Sequence, residues 1–160
     1  MRLTHEFRYD APPAKVYAML ADPAFREKVC DTQGVLSRIV TVTPNGTGME
    51  VAIDETQPAT GIPSFAQKFV GDQIRIVQHE SWASASGAEL SVDIPGKPGS
   101  VRGNVTLVPD GDGTVQTIDA EVKVAVPFIG GTLEQLINDL LVSALKVENR
   151  VGRAYLGGVE

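Results

Sequence analysis

The stretch VPFIGGTLEQLINDLLVSALKVENRVGRAYL near the C-terminus limits the possible folds of this chain more than any other segment. At about 100° per residue, Leu133, Leu136, Ile137, Leu140, Leu141, Ala144, Val147, Val151, Ala154 and Tyr155 project onto one broad face. Gln135, Asn138, Lys146, Asn149 and Arg153 fall outside it. The spacing predicts a long amphipathic helix whose stripe must lie on another apolar surface. Gly130 and Gly131 break the chain ahead of it, and Thr132 with Gln135 forms a capping-box pattern for its start. Within the apolar arc, between the directions of Leu141 and Tyr155, stands Glu148. Its neighbours one turn away are Ala144 and Gly152, the two smallest residues of that face, so the helix leaves the space beside this carboxylate unfilled.

The surface that receives the helix is predicted from the remainder. Leu3, His5, Phe7 and Tyr9 alternate with Arg2, Thr4, Glu6 and Arg8, the period-2 pattern of a strand with one buried face. Pro12 and Pro13 open a short helix carrying Val16, Tyr17, Met19 and Leu20, because the first helical turn does not need its backbone N–H groups. Asp22 and Pro23 form an N-cap and N1 pair for a second short helix through Phe25 and Val29. From there to residue 126 the pattern predicts strands at 35–43, 47–55, 66–71, 73–83, 88–94, 100–108 and 114–126. PNGT, GDQ, ASG, PGKPG and PDGDG separate them as turns. The connection 56–65 is too long for a tight hairpin and carries Ile62 and Phe65, which makes it a candidate lid or mouth loop.

Charge and cysteine content remove several classes of function. Fourteen Lys and Arg against twenty Asp and Glu give a net charge of −6, so the basic surface that phosphate-backbone binding needs is missing and no nucleic-acid partner is expected. No run of about 18 apolar residues predicts membrane insertion. The alternating N-terminus does not read as a signal peptide. Cys30 is the only cysteine, which excludes an internal disulfide and fits a reducing, cytoplasmic setting. No metal-ligand spacing, phosphate-binding glycine loop or nucleophile elbow is present, so neither a metal nor a cofactor is expected. At 160 residues the chain fits one domain, 1–160, with one core.

The order of strand, two short helices, six or seven antiparallel strands and a long C-terminal helix resembles the START-like, or helix-grip, superfamily. FRYDAPPAKVYAMLADP at the front and VPFIGGTLEQLINDLLVSALKVENRV at the back carry the resemblance. That superfamily contains lipid-transfer domains, plant hormone-binding pathogenesis proteins and polyketide cyclases, and this chain looks like one of its bacterial subfamilies. The resemblance implies an α+β helix-grip fold: a curved antiparallel sheet of about seven to eight strands wrapped around the long helix, with an apolar cavity between them. A shared fold assigns no chemistry, so the cavity lining has to be read residue by residue.

Glu148 either ends the core near solvent or a basic partner, or lines the cavity and orients a ligand's polar end or moves a proton. Arg38, on a strand face with Leu36, Val40 and Val42, is a plausible ion-pair partner for it, unless Arg38 snorkels out at the strand end. His5 and Gln116 share apolar strand faces and complete the polar lining. Leu141, Tyr155, Ala144 and Gly152 on the helix, with Ile62 and Phe65 at the mouth, would supply the rest. Ile74, Ile76 and Trp82 share one strand phase with Gln78 and Glu80. The Trp82 phase reads as inward, which turns His79 to solvent. The expected function is binding, transport or sensing of a small apolar molecule such as a lipid, polyketide-like or isoprenoid compound. A cyclase, dehydratase or isomerase on a polyketide-like substrate is the enzymatic alternative. A protein-interaction module with a filled core, including a homodimer, is the third.

Overall fold

The computed structural model describes residues 1–158. In chain order its elements are β1 (Arg2–Tyr9), α1 (Pro13–Leu20), α2 (Pro23–Gln33), β2 (Ser37–Asn45), β3 (Gly48–Pro58), α3 (Ser64–Val70), β4 (Gln73–Ser84), β5 (Gly87–Asp93), β6 (Gly99–Asp110), β7 (Gly113–Val124) and α4 (Gly130–Leu156). The start signals read from the sequence act as expected in the first two helices. Pro13 occupies the first turn of α1, and the Asp22 side chain accepts from the Ala24 N–H at 2.9 Å to cap α2. Gly34 ends α2 at φ 79°, a left-handed conformation that favours glycine.

The strands form one open sheet in the order β1-β7-β6-β5-β4-β3-β2, antiparallel throughout. Because β1 and β2 are consecutive strands at opposite edges, the α1–α2 pair has to carry the chain from one edge to the other. Phase decides what faces inward. Met49, Val51 and Ile53 on β3, Trp82 on β4, Val101 and Val105 on β6, and Ile118, Ala120 and Val122 on β7 are all buried in one cluster with Val16, Met19, Leu20 and Phe25 of the short helices. His79 lies on the other phase and is exposed, as the alternation predicts.

α4 lies across the inner face of this sheet, but its stripe is not sealed against it. Over 27 residues only Leu133 and Gly152 are fully buried, whereas Leu136, Ile137, Leu141, Ala144, Leu145 and Val151 keep part of their surface. The helix is pinned near its two ends. Leu133 packs with Ala66 and Val124, and Gly152 presses so closely on Tyr9 that a Cβ there would sit 2.6 Å from the ring's Cε1. Between the pins the helix is only partly covered, with Leu141, Val142, Leu145 and Val151 packed against the core. No helix among the described residues is long and apolar enough to cross a membrane.

Three local expectations are corrected. The segment 66–71 is no strand: Ser64–Val70 is helical, bounded by Pro63 and Gly71. Ala66, Phe69 and Val70 stand at i, i+3 and i+4, a helical spacing that puts all three on the side of the apolar cluster below α4. The long connection is also shorter than expected, since β3 continues to Pro58 and only residues 59–63 separate it from α3. Finally, α4 begins at Gly130, two residues before Thr132, and no side chain caps it. Gln135 donates to Asp139 at 2.8 Å instead of turning back, so the capping box does not form.

Candidate functional site

The charged centre of the interior comes from α2 and β4. Arg26 lies on the buried side of α2 with Phe25 and Val29. Its Nε donates to the Leu20 carbonyl at 2.8 Å, and its two terminal nitrogens donate to the two Glu80 oxygens at 2.9 and 2.8 Å. Glu80, on the inward phase of β4, also accepts from Trp82 Nε1 at 2.9 Å and Gln78 Nε2 at 2.6 Å. Burial pushes the Glu80 carboxyl up, but the charge of Arg26 and these four donors outweigh it and hold its pKa below the ordinary value. A bidentate, hydrogen-bonded pair is the form in which buried charges are tolerated.

Glu148 faces this pair from α4 under different conditions. No hydrogen bond reaches its carboxylate from any described residue, and the Tyr9 hydroxyl donates to its main-chain carbonyl at 3.4 Å. Burial pushes its pKa up to about 7, opposed by the charge of Arg26 and reinforced by that of Glu80. The side chain lies deep among protein atoms, yet the residue still presents accessible surface. A carboxyl that is deep, keeps accessible surface and lies near neutrality can exist with or without its proton.

Further along α4 a second region opens. A cavity holding about 80 Å³ lies between α3, the start of β4, the β5–β6 turn and the first half of α4. Ile62, Ala66, Phe69, Ile74, Ile94, Val124, Leu133, Leu136, Ile137 and Leu140 line it, and among the described residues Lys97 is the only charged one in the lining. Counting about 1.5 Å per residue, Ile137 and Glu148 are roughly 16 Å apart along the helix axis, so the apolar opening and the charged interior lie along one helix.

The candidate residues therefore separate. Ile62 lines the opening, whereas Phe65 does not and is 39% exposed. Leu141 packs partly against the core. His5 is half-buried on the inner phase, its ring 5.8 Å from that of Phe7. Gln116 is buried nearby, with its Oε1 unpartnered among the described residues. Tyr155 turns outward, 43% exposed, and donates to Asp22 at 2.7 Å. Arg38 is not the partner of Glu148. It pairs with Asp31 and Glu27 at 3.1 Å each, because those residues stand on α2 at the sheet edge where Arg38 emerges. The small-residue notch is also occupied. The Tyr9 ring fills the space at Gly152, and Gln33 donates to the Ala144 carbonyl at 3.3 Å.

Arg26, Glu80, Gln78 and Glu55 lie outside the candidate residues that the sequence singles out. A signal existed for the strand residues, since Gln78 and Glu80 share the inward phase of Trp82. Arg26 recurs at i−3 from Val29 on a helix face that is otherwise apolar. Glu55 Oε1 accepts from Gln57 at 3.1 Å, and burial raises its pKa. Burial, with Glu55 adding to it, pushes the Cys30 thiol up to about 12, so it is a thiol and not a nucleophilic thiolate at neutral pH. No group of three or more metal-ligating side chains occurs among the described residues.

A seven-stranded antiparallel sheet gripping one long C-terminal helix, with two short helices after the first strand, defines the START-like helix-grip fold. Solved structures share it across nearly the whole chain. A START superfamily protein from Mycobacterium smegmatis matches with a TM-score of 0.59 and 13% identity over 94% of this chain and 96% of its own. The di-domain ARO/CYC of the steffimycin biosynthetic pathway gives 0.66 and 13% over 99% of this chain and 53% of its own. Norcoclaurine synthase from Thalictrum flavum gives 0.61 and 14% over 98% and 86%. Within that fold, the family model described as "Protein of unknown function (DUF2505)" matches residues 4–156, and the chain belongs to this family. An uncharacterised protein of Mycobacterium tuberculosis is 24% identical over 108 residues, and the match spans 64% of this chain and 62% of that relative's length.

Proposed function

We propose that the protein binds a small, largely apolar molecule between the sheet and α4, as a carrier or sensor, with Glu148 at the inner polar end of the site. The observation that carries this reading is the state of Glu148: deep, partly accessible, without a hydrogen-bond donor among the described residues and raised to about 7. An apolar core gains nothing from a carboxyl in that position, whereas a ligand's hydroxyl or carbonyl would satisfy it when the carboxyl is protonated. The half-covered stripe of α4 and the apolar opening at Ile62 and Leu136 support the same reading, as does the likeness in fold to a START superfamily protein.

Native mass spectrometry of the purified wild type and Glu148→Leu, followed by denaturing extraction, tests it. A discrete apolar compound retained by the wild type and lost or exchanged in the variant is the expected result. A clean unliganded mass for both proteins, unchanged after incubation with mixed lipids and aromatic polyketides, would remove the proposal and favour a filled core that serves protein interaction.

The same carboxyl supports a second, catalytic reading. A group poised near pH 7 beside a fixed positive charge suits general acid–base work, here in a cyclase, dehydratase or isomerase. The likeness in fold to an ARO/CYC protein and to norcoclaurine synthase adds to it. Under this reading Glu148→Gln abolishes turnover of a polyketide-like substrate and leaves its binding nearly intact; a normal rate in that variant excludes Glu148 as the acid or base.

A further inference from the structure

We infer that the ligand is an anionic amphiphile, held with its charged head outward at Lys97 and its apolar part directed along α4 toward the interior. This inference rests on the proposed apolar-ligand site and adds the ligand's head group and direction. It starts from where Lys97 stands among the cations of the chain. Arg2, Arg8, Arg26, Arg38, Arg75 and Arg102 are each ion-paired to a carboxylate. None of the six lysines is ion-paired among the described residues, nor are Arg150 and Arg153, but Lys97 is the one of these cations that lines the apolar cavity, and no carboxylate lines it beside Lys97.

The position of Lys97 gives that unpaired charge a use. It lies in the β5–β6 turn between Gly96 and Pro98, on the lip of an opening whose other lining groups are apolar or backbone. Lys68 on α3 also has no carboxylate partner among the described residues, and its ammonium lies 5.5 Å from the centre of the Phe69 ring, which is part of the same lining. Two ammonium groups around an apolar opening, with acidic groups kept off its walls, complement a negative head attached to an apolar body. The inner end favours the same direction. Arg26 is already held by both Glu80 oxygens, so a carboxylate head there would add a further carboxyl group beside Glu80 and Glu148 with only that one guanidinium to offset it, whereas an uncharged end would not.

The test is isothermal titration calorimetry at pH 8 with decanoate, decanol and decylamine, on wild type, Lys97→Gln and, as a control, Lys123→Gln on an exposed strand position. Lys97 is exposed, so its variant is expected to melt at the wild-type temperature. The expected result is that decanoate binds the wild type about five- to tenfold more tightly than decylamine. That preference should fall to about twofold or less in Lys97→Gln and persist in Lys123→Gln, with decanol unaffected by either change. Added salt should weaken decanoate and leave decanol unchanged. Equal binding of all three compounds, or a preference that survives Lys97→Gln, overturns the head-outward inference while the apolar-ligand site stands. Failure of all three to bind overturns both.

Discussion

The two halves of α4 meet the sheet in opposite ways. From Glu148 to Gly152 the helix meets a polar interior in which almost every group is fixed: Arg26 and Glu80 are bidentate, Gln78 and Trp82 complete the Glu80 shell, and Tyr9 fills the gap left by Gly152. From Leu133 to Leu140 the contacts are apolar and loose, Leu140 being 48% exposed beside a cavity with one charged lining residue. The C-terminal half holds the fold in a single arrangement through directional bonds. The N-terminal half, anchored at Leu133, is the one proposed to admit a guest, because dispersion contacts across a gap are weak and easily exchanged.

If this contrast is right, the largest effect comes from breaking the ion pair. Arg26→Ala leaves Glu80 charged and buried and should destabilise the protein by about 3–5 kcal/mol in urea unfolding. Arg26→Met with Glu80→Leu together should cost far less than the single change, since no unpaired charge remains. Next is Gly152→Ala, whose Cβ would sit 2.6 Å from Tyr9 Cε1. A loss of about 1–3 kcal/mol is expected, partly recovered in Gly152→Ala with Tyr9→Leu. Little or no loss would mean that the pinned half of α4 is as loose as the other.

The third effect depends on pH. The Glu148 pKa rises from 4.5 to about 7 on folding, so the native state keeps a proton that the unfolded chain releases. The stability associated with Glu148 is complete below 4.5 and is lost as pH rises through 7, by up to about 1.4 kcal/mol per pH unit. Glu80 acts in the opposite sense, since its lowered pKa gives stability above 4.5 that is lost as pH falls below it. Unfolding free energies between pH 5 and 8 should therefore decline in the wild type and flatten in Glu148→Gln. Smallest of all, Leu140→Ala in the loose half should stay within about 0.5 kcal/mol of wild type; a loss above 2 kcal/mol would place Leu140 in a packed core and close the proposed opening.

Much of the fold was legible because its elements announce themselves locally. The Asp22-Pro23 pair starts α2, period-2 runs mark β1 to β7, and one apolar stripe marks α4. The helix Ser64–Val70 is harder to read than the others, because a segment so short shows its i, i+3, i+4 spacing of Ala66, Phe69 and Val70 only once. The candidate site was less legible. Glu148 stood out because a single carboxylate interrupts an apolar stripe. Its electrostatic partner could not be chosen by the same means: Arg38 and Arg26 are both cations among apolar neighbours, and only the placement of α2 over β4 sends Arg26 to Glu80 while Arg38 meets Asp31 and Glu27 at the edge.

By itself the sequence determined the number and kind of most elements, the inward phase of the Trp82 strand and the presence of a carboxyl on the buried side of the last helix, because each depends on residues within a few positions of one another. The tertiary structure alone decided that Tyr9 fills the Gly152 notch, that Arg26 and Glu80 form the charged interior, and that Lys97 stands at an apolar opening. Those contacts join residues up to 143 positions apart, from Tyr9 to Gly152. Which distant residues meet is set by strand order and helix placement, and no local periodicity encodes that choice.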